Sequence, residues 1–278
     1  MLKFKKIEKK DFDCINSYLL LDTTRSCEKT AGAIMMWREF YGGHWTIFDE
    51  TLIIKYDSEH ENAYLFPIGK NVKGAIDALG AVTYVGVCKD NLSAFDGYDT
   101  EIIPIRGNFD YIYDAESLRT FAGKKLHSKR NFLNRFKASY KYEFVLDGDK
   151  TDLIDFFKKI DIKQPHTGET GEAELKETID MVESRELFKL HSGEIRVDGK
   201  IISATLGAQI GDTLYIHIEK ADKDYIGSYQ AIVSEFAKAF PDVKFINRED
   251  DLDEEGLRKS KLSYNPLYLL EKYMVIRH

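Results

Sequence analysis

Cysteine is scarce in this chain. Cys14, Cys27 and Cys88 are the only three, far apart and never in C-x-x-C spacing. An odd, scattered set supports neither a disulfide framework nor a cysteine zinc site, and it suits a reducing compartment. Proline is also rare, with 5 in 278 residues, and no stretch is low in complexity, so wholesale disorder is not expected. Positive charge is in deficit, since 40 Lys and Arg against 47 Asp and Glu leave a formal net charge of -7. A dedicated duplex-DNA binder is usually basic, so that class is set aside. No apolar run approaches the ~20 residues of a membrane-spanning helix. The opening MLKFKKIEKKDF carries charge with no apolar stretch behind it, so neither a signal peptide nor a transmembrane segment is expected, and a cytoplasmic location is. His44, His60, His127, His166, His191, His217 and His278 form no metal-binding spacing, and no metal is expected. No GxSxG elbow, Walker loop or GxGxxG is present, which leaves hydrolase and nucleotidase readings without support.

What is present is a globular composition, 43% hydrophobic with 16 Tyr and 17 Phe, enough for one large domain or two of ordinary size. Asp11 is a plausible helix N-cap, with Phe12, Ile15 and Leu19 on one face behind it. A helix is expected near residues 31–41, ended by Gly42-Gly43. Residues 45–48 and 52–54 around Asp49-Glu50 read as a hairpin. Residues 63–68 read as a strand, 71–79 as a helix and 82–87 as a β-branched strand. From Ala115 come one or two helices to residue 140, a strand at 142–146 and a helix at 152–160. A loop at 161–171 and a charged helix at 172–186 follow. Asp198-Gly199 between residues 193–197 and 200–208 is a strong type I′ hairpin signal. The expected organisation is a first domain over 1–114 and a second over 115–278, each α/β with mixed (α+β) sheets. No repeat is legible at the residue level.

The strand 213–219 then leads through residues 219–227 into a helix from Ser228. Tyr229, Ile232, Val233, Phe236, Ala237 and Phe240 form its apolar stripe. Pro241-Asp242 stops it and a strand begins at Val243. Hairpin, strand, turn, amphipathic helix, strand is the order at the heart of an acyl-CoA N-acyltransferase fold. There the turn before the helix offers backbone N–H groups to a pyrophosphate.

Three stretches carry a wider resemblance: residues 36–41 (MWREFY) with Trp45; residues 123–136 (GKKLHSKRNFLNRF); and a tail of residues 217–221 (HIEKA), 227–231 (GSYQA), 246–252 (INREDDL) and 256–264 (GLRKSKLSY). On these the chain resembles the bacterial proteins that share the C-terminal catalytic region of phosphatidylglycerol lysyltransferase. The resemblance implies two tandem GNAT-like acyltransferase domains, related to the Fem-type aminoacyl transferases. It implies an acyl or aminoacyl transferase with aminoacyl-tRNA or acyl-CoA as donor and a small-molecule, lipid-headgroup or peptide acceptor. The membrane-embedded half of the lysyltransferase has no counterpart here, so the lipid substrate does not follow with the resemblance.

Each candidate site residue has a plainer alternative. Residues 124–141 are basic, and Arg130 and Arg135 could hold phosphates of tRNA or coenzyme A; otherwise this is a solvated helix. Gly227 and Ser228 could cradle a phosphate, Ser228 capping the helix, but Asp222 and Asp224 would repel a pyrophosphate, which suits an aminoacyl ester better. Asn247, Arg248, Glu249 and Asp250 fall at a strand end, a common place for a site in α/β folds. Arg248 could hold a carbonyl or phosphate oxygen and Glu249 orient a nucleophile. Acidic residues 251–255 followed by Arg258, Lys259 and Lys261 suit a helix dipole and are assigned to it. Glu219 could be a general base beside Lys220, and Tyr229 a proton donor; the alternatives are a structural ion pair and a core aromatic, and Tyr229 lies on the apolar stripe.

The expected chemistry is transfer to an amine or hydroxyl by positioning and carbonyl polarisation, without a covalent intermediate. The donor is placed in the C-terminal half, the N-terminal half shaping the acceptor side. Two rivals stand beside it: an acetyl-CoA-dependent amine N-acetyltransferase, and a GNAT-fold binding module without chemistry.

Overall fold

The computed structural model describes residues 2–58, 62–165 and 171–278. His60, His166 and the middle of the loop expected at 161–171 lie outside the described residues. The chain divides into two units, Met1–Asp110 with Asp250–Glu254 and Leu269–His278, and Tyr111–Glu249 with Glu255–Tyr268. The sequence reading instead ends the first domain at 114 and keeps 115–278 together. Strand pairing explains the difference, because the last ten residues contain a strand whose ladder lies in the first unit.

In the first unit the described elements are β1 Lys5–Lys6, α1 Phe12–Leu19, α2 Ala31–Trp37, β2 His44–Phe48, β3 Thr51–Asp57, β4 Asn62–Leu65, β5 Ile68–Gly69, α3 Val72–Leu79, β6 Thr83–Cys88 and β7 Thr100–Pro104. The strand expected at 63–68 is thus two short ones. Asp49 and Glu50 take left-handed backbone (φ 44 and 55) in the β2–β3 turn, the geometry a two-residue hairpin needs. β2, β3 and β4 are antiparallel, α3 follows, and β6 returns parallel to β4 through Tyr64↔Tyr84 and Leu65↔Val85. The chain's last strand, Lys272–Arg277, lies between β6 and β7, antiparallel to both. Phe66, Ile76, Tyr84, Val87, Phe95 and Val275 form a core cluster on this sheet.

The elements that follow are β8 Asp110–Asp114, α4 Ala115–Thr120, α5 His127–Ser139, β9 Tyr142–Leu146, α6 Lys150–Lys163, α7 Gly171–Glu183, β10 His191–Val197, β11 Lys200–Ile210, β12 Thr213–Ala221, α8 Ser228–Ala239, β13 Phe245–Asn247, α9 Glu255–Leu262 and β14 Tyr268–Leu270, in the second unit but for Asp110 and Leu269–Leu270; Lys272–Arg277, in the first, is then β15. The sheet order is β14-β8-β13-β12-β11-β10-β9. Asp198 and Gly199 adopt φ 50 and 76, so the β10–β11 hairpin turns as the Asp-Gly pair dictates. β10, β11 and β12 are antiparallel, α8 follows, and β13 lies parallel to β12. This is the order of the first sheet over again: three antiparallel strands, a helix, a parallel strand. Each sheet also takes its next strand from a distant part of the sequence, β15 beside β6 and β8 beside β13. The fold is therefore α/β with two mixed, GNAT-like sheets in tandem.

α8 is the central helix of the second unit. Ile232, Val233, Phe236, Ala237 and Phe240 are buried, and each large apolar side chain so buried contributes about 1.5–3 kcal/mol. At its C-terminal end Arg119 of α4 donates from Nε to the Ala237 carbonyl at 3.1 Å, and from Nη2 to the carbonyls of Phe240, Pro241 and Val243, just beyond the helix, at 2.7, 3.0 and 2.8 Å. A cation there also answers the helix dipole.

Candidate active site

The parallel ladder between β12 and β13 covers only Thr213↔Phe245, Leu214↔Ile246 and Tyr215↔Asn247. β13 ends at Asn247 while β12 continues to Ala221, so beyond Tyr215 the two strands are no longer paired. At this point β12 carries a bulge: Leu206 of β11 faces Ile218 and Gly207 faces Ile216, leaving His217 as the extra residue. Strict alternation would place Leu214 and Glu219, five positions apart, on opposite faces. The bulge restores them to one face. Leu214, Ile216 and Glu219 line one cavity with Ile246 of β13, Arg248 just beyond that strand and Phe236 of α8, with room for about one water molecule.

Glu219 and Arg248 form an ion pair, Nη2 to Oε1 at 2.6 Å, with both side chains 11% exposed. Burial opposes the guanidinium charge, but the Glu219 carboxylate overrides it and holds the group above its ordinary pKa. Arg248 lies 4.6 Å from the Tyr264 ring and 5.8 Å from that of Tyr113. Its Nη1 is buried and has no hydrogen-bond partner among the described residues. The second carboxylate oxygen of Glu219 makes no hydrogen bond among the described residues. Tyr264 is buried, its hydroxyl accepting from Gln230 Nε2 at 2.9 Å, and burial pushes its phenol up to about 12 against the pull of Arg248. Over the same ring, at 4.0 Å, stands the Lys129 ammonium. Burial and then repulsion by Arg248 lower its pKa. Tyr229 is half-buried rather than in the core, while its helix neighbours Ser228, Ala231 and Ile232 are buried. Burial, and then the Glu219 carboxylate, raise its phenol.

α9 is tied to this site by two bonds. Lys261 Nζ donates to the Arg248 carbonyl at 2.6 Å, and Tyr113 Oη donates to the Lys261 carbonyl at 2.8 Å. Lys261 thus has a specific fixing role as well as its place at the helix end.

Other candidates from the sequence are placed differently. Glu249, in left-handed backbone (φ 56), takes His217 Nδ1 at 2.9 Å rather than joining Glu219. Its N–H donates to Asn247 Oδ1 at 2.7 Å, and His217 Nε2 is buried without a partner among the described residues. Lys220 pairs with Glu174 of α7 at 2.5 Å. Gly227, not Ser228, is the N-cap of α8; Ser228 Oγ donates to the Asp222 carbonyl at 3.0 Å instead. Gly227 has φ 93, and a Cβ there would sit 2.4 Å from the Phe132 carbonyl oxygen of α5. Asp222 and Asp224 both bind Lys163, at 2.6 and 2.5 Å, so the turn carries its own acid–base cluster. Arg130 donates to the Phe121 carbonyl at 3.0 Å, while Arg135 is exposed. Asp250 belongs to the first unit. It lies there with Cys27 and Asp110, near enough to suggest ligands for a metal ion, but the buried Lys272 ammonium, 2.7 Å from Asp110, already supplies the positive charge.

A family profile described as phosphatidylglycerol lysyltransferase, C-terminal, matches residues 22–276. The chain belongs to that family. Within this lysyltransferase C-terminal family it is similar to a protein of unknown function from Bacteroides thetaiotaomicron, whose crystal structure superposes with a TM-score of 0.91 at 31% identity over 100% of both chains. The structure of L-PGS from Bacillus licheniformis aligns with a TM-score of 0.70 at 13% identity, covering 98% of this chain and 93% of that one. The crystal structure of FemX aligns with a TM-score of 0.62 at 10% identity, covering 98% and 97%. An uncharacterised protein of Mycoplasmoides gallisepticum is 24% identical over 216 residues, 73% of this chain and 68% of its own length. Family and fold together support an acyl- or aminoacyltransferase kind of function. No helix among the described residues is long and apolar enough to cross a membrane.

Proposed function

We propose that the chain transfers an aminoacyl group from aminoacyl-tRNA to an amine or hydroxyl acceptor, in the second unit, at the point where β12 and β13 cease to pair. The observation that carries this is the Nη1 of Arg248: a buried donor, held in place by Glu219 through Nη2, with no acceptor within hydrogen-bond distance among the described residues. A buried donor left unpaired costs about 1–3 kcal/mol, and a donor carbonyl oxygen would relieve it. In this reading the acceptor's nitrogen or oxygen attacks the ester carbonyl carbon, and the oxyanion that forms is stabilised by Arg248. Collapse breaks the ester C–O bond, and the ribose hydroxyl oxygen leaves with the proton lost by the acceptor. The free oxygen of Glu219 is placed to hold the acceptor's N–H or O–H, and Tyr229 stands beside it as a hydroxyl donor. Arg135 and the basic side chains of α5 are the surface for tRNA phosphates.

The choice of an ester over coenzyme A rests on the turn before α8. Its carboxylates, Asp222 and Asp224, are neutralised only in part by Lys163, and Gly227 is packed against the α5 backbone. Both oppose a pyrophosphate at that helix end. The test is a thermal-shift comparison of acetyl-CoA and aminoacyl-tRNA. A ligand at ~100 times its dissociation constant adds about 2.7 kcal/mol of stability. A shift with charged tRNA and none with acetyl-CoA is expected. A shift with acetyl-CoA alone would favour the N-acetyltransferase, and no shift with either a binding module.

A further inference from the structure

Lys129 stands out among the charged groups around Tyr264. Its side chain is half-buried in α5, its ammonium lies 4.0 Å from the Tyr264 ring, and no carboxylate pairs with it among the described residues. The neighbouring charges do not compensate it. Arg248 faces the same ring and takes one oxygen of Glu219; Lys261 is committed to the Arg248 carbonyl; Lys220 already holds Glu174. Two cations and one acid therefore surround a buried phenol whose hydroxyl is engaged by Gln230. Desolvated positive charge in excess is unfavourable unless something answers it. An aromatic face answers a cation only in part.

We infer that Lys129 is a binding residue for an anionic group of the substrate, a phosphate or a carboxylate, which meets the half-buried ammonium next to the Glu219–Arg248 pair. The inference rests on reading that pair as the active site and adds to it the charge of what binds there. It differs from the exposed basic face of α5, which any polyanion would find, because Lys129 is partly withdrawn from water and adjoins Arg248. Such a site is paid for in the free protein: removing the ammonium should stabilise the fold while it weakens the ligand.

The test uses Lys129→Met and Lys129→Arg in the full chain at fixed ionic strength. Binding is followed by calorimetry with 5′-AMP and inorganic phosphate as phosphate probes and N-acetylglycine as the carboxylate probe. Lys129→Met is expected to raise the melting temperature of the free protein and to weaken one class of probe by roughly tenfold or more, since charge-assisted hydrogen bonds are the strong ones; Lys129→Arg should retain the binding. Loss confined to the phosphate probes identifies a phosphate-bearing ligand, and loss confined to N-acetylglycine a carboxylate-bearing one. Equal binding by wild type and Lys129→Met, or no binding of any probe, overturns the inference. Aminoacyl transfer that proceeds unchanged in Lys129→Met overturns it as well and leaves the transferase reading standing. Lys129-dependent binding in a chain that transfers nothing does the reverse.

Discussion

Replacing Glu219 by Gln keeps the volume and one acceptor but removes the charge that Arg248 faces. The pair is 2.6 Å apart with both side chains 11% exposed, so solvent screens it little. Breaking a buried pair by removing one partner costs about 3–5 kcal/mol, because the remaining charge stays buried. Cation–π contact with Tyr264 at 4.6 Å survives the change and offsets about 1–2 kcal/mol of that. The net loss expected is about 1–4 kcal/mol. For a unit of this size that lowers the melting temperature by roughly 2–16 °C. Calorimetry on Glu219→Gln, Arg248→Met and the double variant reads it. Each single change should be costly, and the double variant should recover a large part, with a coupling of about 2 kcal/mol. Single variants within about 0.5 kcal/mol of wild type, or strict additivity, would refute the claim that Glu219 holds Arg248 in place.

Tyr264 gives a pH-dependent prediction. Its phenol is raised from 10.0 to about 12, so the folded state favours the protonated form. The stability this contributes is complete below pH 10 and is lost as pH rises from 10 through about 12. Alkaline denaturation of Tyr264→Phe should therefore be flatter than wild type across that window, and parallel curves would contradict it. Gly227→Ala should cost at least about 1–3 kcal/mol in urea denaturation, because φ 93 and a Cβ 2.4 Å from the Phe132 carbonyl oxygen are both unfavourable; an unchanged midpoint would show that α5 and α8 are not in this contact. In the first unit, Lys272→Met leaves the fully buried Asp110 without its ammonium at 2.7 Å, so a loss of about 3–5 kcal/mol is expected, read as a lower-temperature calorimetric transition.

The elements with clean local signals were legible in the sequence. α8 follows from its apolar spacing, and the β2–β3 and β10–β11 hairpins from turn residues that tolerate left-handed backbone. The shift of Tyr229 off the core stripe is a matter of one helical turn, which periodicity does not resolve. The bulge at His217 has no local marker, yet it decides which face Glu219 occupies. The placing of β8 in the second sheet and β15 in the first is set by long-range pairing, which no local signal marks. Lys129, Gln230 and Tyr264 lie far apart in sequence, and only the packing of α5, α8 and α9 brings them to Arg248. Tyr264 stood in the stretch that carried the family resemblance, but nothing in its spacing distinguished it from a core aromatic.

The most direct measurement is single-turnover transfer of a labelled aminoacyl group from tRNA to hydroxylamine, used as a small nucleophile, by wild type and Arg248→Met. The proposal requires the label to move from tRNA to the hydroxamate with the wild-type chain, and the rate to fall by about 10²–10³ in the variant, the usual loss of one oxyanion donor. Label that stays on tRNA with wild type, or leaves equally fast with Arg248→Met, would contradict it.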